Sequence, residues 1–232
     1  HRSGHSFPTR RSSDLFWNAY EYSLTIFFSA LFFSLIVAII VLFFYFLLGK
    51  PFQILVDFIS FTMSSLPDIF VIVGSQLLVV FIFKKTGVFL FDFVALGEDR
   101  AYILPILCLS ILPTMYFIKT LTVLMKEEFD KQYVELAKSK GVTYFGILFV
   151  HVFRNTIISL AYHGKNVMWL MLSNLLILEY LFNMLGVTTF LFSYNTPTLF
   201  AVTSILLFVP IFVFLKIIQR WANSMTGNEV EL

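Results

Sequence analysis

The chain of 232 residues contains one cysteine, four histidines and only 13% charged side chains. A single thiol cannot build a disulfide framework, and Cys108 lies in an apolar run, as a small membrane-buried residue would. His151 and His163 stand isolated, with no Cys/His spacing that suits a metal. No clustered acid, base or nucleophile occurs, and no glycine loop of the kind that cradles phosphate. No catalytic site, metal or cofactor is therefore expected. What fills the chain instead is hydrocarbon: 59% of its residues are hydrophobic, 30 are phenylalanine, and the mean hydropathy is +0.87. A soluble domain of this length has no interior large enough to hide so much apolar surface, so lipid is the solvent for most of it.

The most polar stretch, HSFPTRRSSDL from His5 to Leu15, stops where the apolar residues begin. A secretory signal would need a short apolar core and a small-residue cleavage site, and neither follows it. Back-translated, the stretch resembles a common sequencing-library adapter read in frame. Residues 1–15 are accordingly set apart as a non-native leader, and the native protein is expected to begin upstream of Phe16. Three of the sixteen basic residues and one of the fourteen acidic ones lie in that leader, so the remainder is electrically balanced and no nucleic-acid partner is expected.

A spanning helix takes roughly 20 mostly apolar residues. Five stretches qualify: Leu24 to Leu48, closed by Gly49-Lys50-Pro51; Ile59 to Phe83, interrupted at Ser64-Ser65-Leu66-Pro67-Asp68; Ala101 to Leu124; Thr156 to Leu181; and Leu199 to Ile218. Prolines 105, 113 and 210 fall inside spans, which suits helices packed against neighbours. The fold class is thus all-α, a polytopic transmembrane helical bundle. Lys50, then Lys126, Lys131, Lys138, Lys140 and Arg154, then Lys216 and Arg220 share one side, while Lys84, Lys85 and Arg100 on the other are offset by Asp92, Glu98 and Asp99. The first side is assigned to the cytoplasm, with the C-terminus. The transmembrane domain runs over 16–222, and a short tail over 223–232.

The cytoplasmic loop, 125–155, reads MKEEFDKQYVELAKSKGVTYFGILFVHVFRN. Glu127, Glu128 and Asp130 lead it, and Lys138 and Lys140 close its first half, the order a helix dipole favours. Gly141 stands where a left-handed cap is wanted. Phe129, Tyr133, Leu136 and Ala137 fall at helical spacing on one face. The loop therefore reads as a short amphipathic helix, a glycine turn and a second helix entering the fourth span. It either lies on the membrane surface or docks a soluble partner.

The segment Glu135-Leu136-Ala137-Lys138-Ser139-Lys140-Gly141 resembles the EAA signature of ABC importer permeases, with Leu136 for the middle alanine. The likeness continues in QYVELAKSKGV, in HVFRN through His151, Arg154 and Asn155, in LEYLFNMLGVTTFL through Glu179, Phe182 and Gly186, in NTPTLFAV with Asn195 and Pro197, and in SSLPDIFVIVGSQLLVVF through Pro67, Phe70 and Gly74. Together these segments resemble the dipeptide/oligopeptide/nickel permease family, in particular its B-type subunit. Ser159 and Leu185 stand where that family usually has proline.

The resemblance implies a type I importer permease fold in the bacterial cytoplasmic membrane, lacking an N-terminal span of the B-type subunit. It implies transport of peptides or a related small solute such as a nickel chelate, without catalysis by this chain. Its partners would be ATP-binding-cassette ATPase subunits, a second, C-type permease, an extracellular solute-binding protein and membrane lipid. Glu135, Leu136, Ala137 and Gly141 would couple to the ATPase, and His151, Arg154 and Asn155 would shape the loop and the following helix.

Ionisable residues within spans are costly and mark candidate sites. Asp68 either lines the translocation path or stabilises the break beside Pro67. His163, Lys165 and Asn166 either line the path or belong to a helix whose Lys165 snorkels to the interface. Glu179 either caps or pairs within the bundle or faces the path. The alternative function is a secondary transporter or channel subunit with no ATPase partner, which would need a charge-paired ion path; a membrane-embedded enzyme is the third class.

Overall fold

A computed structural model describes residues 10–87, 101–193 and 196–226. Expectations resting on residues 1–9, on Asp92, Glu98, Asp99, Arg100 and Asn195, and on the tail from residue 227 lie outside the described residues.

Among the described residues every regular element is helical. In chain order they are α1 (Arg10–Leu47), α2 (Lys50–Ser65), α3 (Asp68–Thr86), α4 (Ile103–Phe129), α5 (Gln132–Ser139), α6 (Tyr144–Gly146), a π-helical segment (Ile147–Val152), α7 (Phe153–Leu181), α8 (Val187–Ser193) and α9 (Pro197–Thr226). Five stretches are long and apolar enough to cross a membrane: Asp14–Leu47, Asp68–Thr86, Ile103–Phe129, Tyr144–Leu181 and Pro197–Met225. The all-α, five-span architecture expected from hydropathy is therefore present.

The boundaries differ in instructive places. The expected second span, Ile59 to Phe83, is two helices, and of the two only Asp68–Thr86 is long and apolar enough to cross. Pro67 forbids a helical conformation at the residue before it, and Leu66 is extended at φ −83°, ψ 140°. The 16-residue α2 is left as a separate helix, started by Gly49 at φ 79° with a proline in its first turn. At the third span, α4 continues to Phe129, so the expected loop start at Met125 lies within a helix whose last turns hold Met125 and Glu128 in the interior. The fourth span likewise begins early, because α6 and the π-helical segment run directly into α7.

The described residues divide into two compact units. The first takes its described residues from the ranges His1–Phe32, Asp68–Ser110 and Met171–Val209. Its interior is built on Tyr22, Ile26, Phe27, Ile72, Leu109 and Phe182, all fully buried. Tyr20 Oη donates to the Leu206 carbonyl at 2.8 Å, and Tyr22 Oη donates to the Ala101 carbonyl. The second unit takes its described residues from the ranges Phe33–Pro67, Ile111–Leu170 and Pro210–Leu232. Leu42, Tyr45, Leu121, Met125, Ile147 and Leu148 form its centre. Phe70, Leu77 and Phe81 on α3 and Phe200, Ile205 and Phe212 on α9 point outward, as side chains facing hydrocarbon do.

Candidate functional site

The short helix α5 is the part of the second unit that carries the EAA-like segment. Lys131 precedes it in an extended conformation, φ −81° and ψ 148°, and makes no side-chain cap. Its end is well defined. Gly141 takes φ +75°, its N–H bonds the Lys138 carbonyl at 3.0 Å, and the Val142 N–H bonds the Ala137 carbonyl at 3.1 Å. This pair of bonds is the Schellman closure, which wants a residue without Cβ at the left-handed position. The expected glycine turn is present.

The face that α5 buries is not the expected one. Val134 and Ala137 are buried, Tyr133 is half-buried, and Leu136 is 56% exposed. Phe129 belongs to α4 rather than to this helix. Ala137 therefore points inward, while Gly141 lies beyond the helix end in the open. The two do not form one small-residue surface for a partner. The outward side carries Glu135, Leu136 and Lys138.

What holds α5 in place is Glu128, at 4% exposure in the last turn of α4. Tyr133 Oη donates to its Oε2 at 2.7 Å, Lys131 Nζ donates to its Oε1 in an i,i+3 ion pair, and the Asn155 side chain lies beside both Glu128 and Tyr133. One carboxylate thus ties α4 to the start of α5, with the start of α7 alongside. Burial, and then the hydrogen bond to Glu128, push the Tyr133 hydroxyl up to about 12. Neighbouring contacts frame this knot. The Phe129 and Tyr144 rings stack with centroids 6.1 Å apart, and Phe46 of α1 meets Phe129 at 5.6 Å. Lys126 Nζ donates to Tyr45 Oη at 3.0 Å, and Tyr45 Oη donates to Asp57 Oδ2 at 3.2 Å, linking α4, α1 and α2. Thr143 Oγ1 accepts from the Gly146 N–H at 3.3 Å and starts α6.

Of the other loop candidates, His151 lies exposed on the π-helical segment and Arg154 is exposed on the first turn of α7. Only Asn155 lies beside the knot. The span candidates are dispersed. Asp68 is half-buried at the start of α3, His163 is half-buried, Lys165 is exposed, and Asn166 Nδ2 donates to Tyr116 Oη at 3.3 Å.

Glu179, in the first unit, is enclosed at 0% exposure. Its Oε1 accepts from Ser23 Oγ, and its Oε2 accepts from the Thr188 N–H at 2.8 Å. Ser23 Oγ accepts in turn from the Val187 N–H at 2.9 Å. The carboxylate and the serine together cap the first amides of α8. A Cβ added to Gly186 would lie 2.4 to 2.6 Å from the Glu179 carboxyl atoms, so no larger residue fits there without displacing them. Asn183 at φ 50° turns the chain between α7 and α8.

Sequence reasoning missed Glu128, Ser23 and the role of the Tyr133 hydroxyl. The i,i+3 spacing of Glu128 and Lys131 was a usable signal for the first. Nothing local marks Ser23, which lies 156 residues from its partner. Among the described residues no three His, Cys, Asp or Glu side chains gather as a metal site.

A chain of this kind, with apolar spans and one clamped helix between them, can be compared with known families. Residues 30–226 match the family described as "Binding-protein-dependent transport system inner membrane component". The chain belongs to that family. The permease is therefore a multi-pass inner-membrane component of an ABC-type transport system, and its family is one of membrane transport rather than of enzymes. It is also similar to proteins of Brucella abortus (strain 2308), Brucella suis biovar 1 and Brucella melitensis biotype 1, each named "Putative peptide transport system permease protein". The identity to each is 30% over 91 residues, which is 39% of this permease and 29% of the relative. The matched stretch thus covers under a third of the relatives' length.

Proposed function

We propose that this permease is one membrane half of an ATP-driven importer, and that α5 is the surface on which a cytoplasmic ATPase subunit bears. The observation that carries the reading is the exposure of Leu136, 56%, on a helix fastened beneath by Glu128 and closed by Gly141. A large apolar side chain held outward on a fastened helix offers a partner apolar surface to bury. Glu135 and Lys138 flank it with polar contacts, while Ala137 and Gly141 set the helix's seat and end. His151, Arg154 and Asn155 begin the path into α7, with Asn155 beside the knot. Motion of the ATPase would then pass through Glu128 to α4 and through Asn155 to α7.

The solute is proposed to be a peptide or a related small molecule, because the Brucella relatives carry that description in their names. A second, C-type permease would complete the path, an extracellular binding protein would deliver the solute, and the C-terminus would be cytoplasmic. Rocking of the two permeases would expose the path to each side in turn. Asp68, His163, Lys165 and Asn166 are proposed to border that path, and Glu179 to serve as the α8 cap. A secondary transporter would need charge pairs along its spans. Among the described residues the ion pair found is Lys131–Glu128, beside the loop.

The test is ATP-dependent uptake and ATPase binding by the full complex in vesicles. Leu136→Asp should abolish both while membrane insertion stays intact, because the side chain faces away from the chain. Lys138→Ala should change neither. Normal uptake with Leu136→Asp would sink the docking role of α5.

A further inference from the structure

The second unit carries a groove that the proposed coupling does not use. It has a volume of about 510 Å³ and is bordered by Tyr162 of α7 and by Phe212, Lys216, Gln219, Arg220 and Asn223 of α9. Tyr162 Oη donates to Asn223 Oδ1 at 2.8 Å, which joins the two helices across it. Lys216 Nζ sits 5.3 Å from the centre of the Phe212 ring. Among the described residues neither Lys216 nor Arg220 has a carboxylate within ion-pair distance. Two cations one helical turn apart thus face a groove without a counter-ion among the described residues. Before and between them on α9 the surface is apolar, with Phe212, Val213 and Ile217 exposed at 59%, 49% and 62%. Trp221, beside Arg220, is 45% exposed, an indole placed as at a membrane–water boundary.

We propose that this groove binds the phosphate headgroup of an anionic phospholipid. The phosphate diester sits between Lys216 and Arg220, Gln219 and Asn223 offer polar contacts at its edge, and the acyl chains run along Phe212, Val213 and Ile217. A basic pocket on spanning helices is the setting in which anionic headgroups are held. The amphiphilic chemistry decides the occupant. A free phosphate would use the cations and leave the apolar wall unoccupied, and a zwitterionic headgroup brings its own cation against Lys216 and Arg220. Nothing in this site depends on an ATPase, so it stands or falls separately from the role of α5.

Trp221 reports directly on the groove. With Trp17→Phe and Trp169→Phe it becomes the sole emitter of the three tryptophans. The full chain is placed in phosphatidylcholine vesicles doped with brominated phosphatidylglycerol or, in parallel, brominated phosphatidylcholine. Quenching should favour phosphatidylglycerol by roughly fivefold or more in relative association, since each cation near the surface contributes on the order of a fivefold preference. Lys216→Gln with Arg220→Gln should bring the ratio near unity, and Lys84→Gln with Lys85→Gln should leave it high. Rising salt should reduce the ratio in the unsubstituted groove, a reading that needs no groove variant to fold. Equal quenching by the two lipids overturns the proposal, as does selectivity that survives Lys216→Gln with Arg220→Gln. Displacement of the lipid by inorganic phosphate at millimolar concentration makes the groove a site for a soluble anion. Loss of lipid quenching when a protein partner is added makes it an interface instead; either result overturns the lipid assignment.

Discussion

Two buried glutamates, one in each unit, fasten a short helix to a long one, and they do it with different donors. Glu179 takes its hydrogen bonds from a backbone amide and from Ser23, whose hydroxyl is itself held by the Val187 amide. Glu128 takes its bonds from the side chains of Lys131 and Tyr133, with Asn155 beside it. Backbone donors cannot swing away without unwinding α8, so the first knot is a fixed joint. Side-chain donors change rotamer, and Lys131 is 54% exposed, with water beside it as a substitute. The second knot is a joint that can release and re-form. A rigid joint suits an element that must keep its shape, and a side-chain joint suits one that must pass on motion. The difference between the two units therefore lies less in how deeply the carboxylate is buried than in what holds it.

The sharpest way to break this comparison is Gly186→Ala. The added methyl overlaps the Glu179 carboxyl group at 2.4 to 2.6 Å, so the carboxylate must move and the α8 amides lose their cap. Overpacking together with a lost buried hydrogen bond should cost about 3 kcal/mol or more. Thermal unfolding in detergent should show a large fall in the midpoint. The double variant with Glu179→Ala tests the cause, because removing the carboxylate makes room for the methyl. Gly186→Ala should then add little to Glu179→Ala alone. An unchanged midpoint in the single variant would contradict the placement of Glu179 beside Gly186.

Glu128→Ala should act less severely and more locally. Tyr133 loses its acceptor, while Lys131 turns to water, so the cost is about 2 kcal/mol. Amide exchange over 132–139 should accelerate, with the core of the first unit unchanged. ATP-dependent uptake should fall, because a helix no longer tied to α4 transmits less. If exchange over 132–139 is unaffected, the knot is not what holds α5.

How much of this was legible follows from the same contrast. The five spans were readable because each signal is local and long: an apolar run with breakers at its ends. The Gly141 turn was readable because one glycine after a charged helix end has few other uses. The division of the second span at Leu66 was half-readable. Pro67 was visible as a break, but whether a helix resumes on the same axis is not a local property. The face of α5 was misjudged because Leu136 is apolar and exposed, and periodicity assigns such a residue inward by default. The proposed partner-facing role of Leu136 is a setting in which that rule fails. The Ser23–Glu179 bond was beyond reach, since the sequence near either residue carries no trace of the other.

The smallest effect expected belongs to Tyr133 and to pH. Its hydroxyl is held near 12 against an ordinary value of 10.0, first by burial and then by the bond to Glu128. Ionisation removes the proton that Tyr133 donates and sets a phenolate against a carboxylate. Because the folded value is the higher one, the contribution to docking is fully present below about pH 10 and is lost as pH rises toward 12. The docking of α5 should therefore be flat with pH through the neutral range and weaken only in that alkaline window. Tyr133→Phe should lower docking modestly at pH 7, by about 1 kcal/mol for one hydrogen bond, and should remove the alkaline dependence. The phenolate absorbance difference between the native chain and Tyr133→Phe isolates this one tyrosine from the other nine of the ten present. A difference spectrum titrating near pH 10 would mean that Tyr133 Oη is neither buried nor bonded to Glu128. The side-chain knot would then lose its tyrosine, leaving a water-facing lysine to hold the loop.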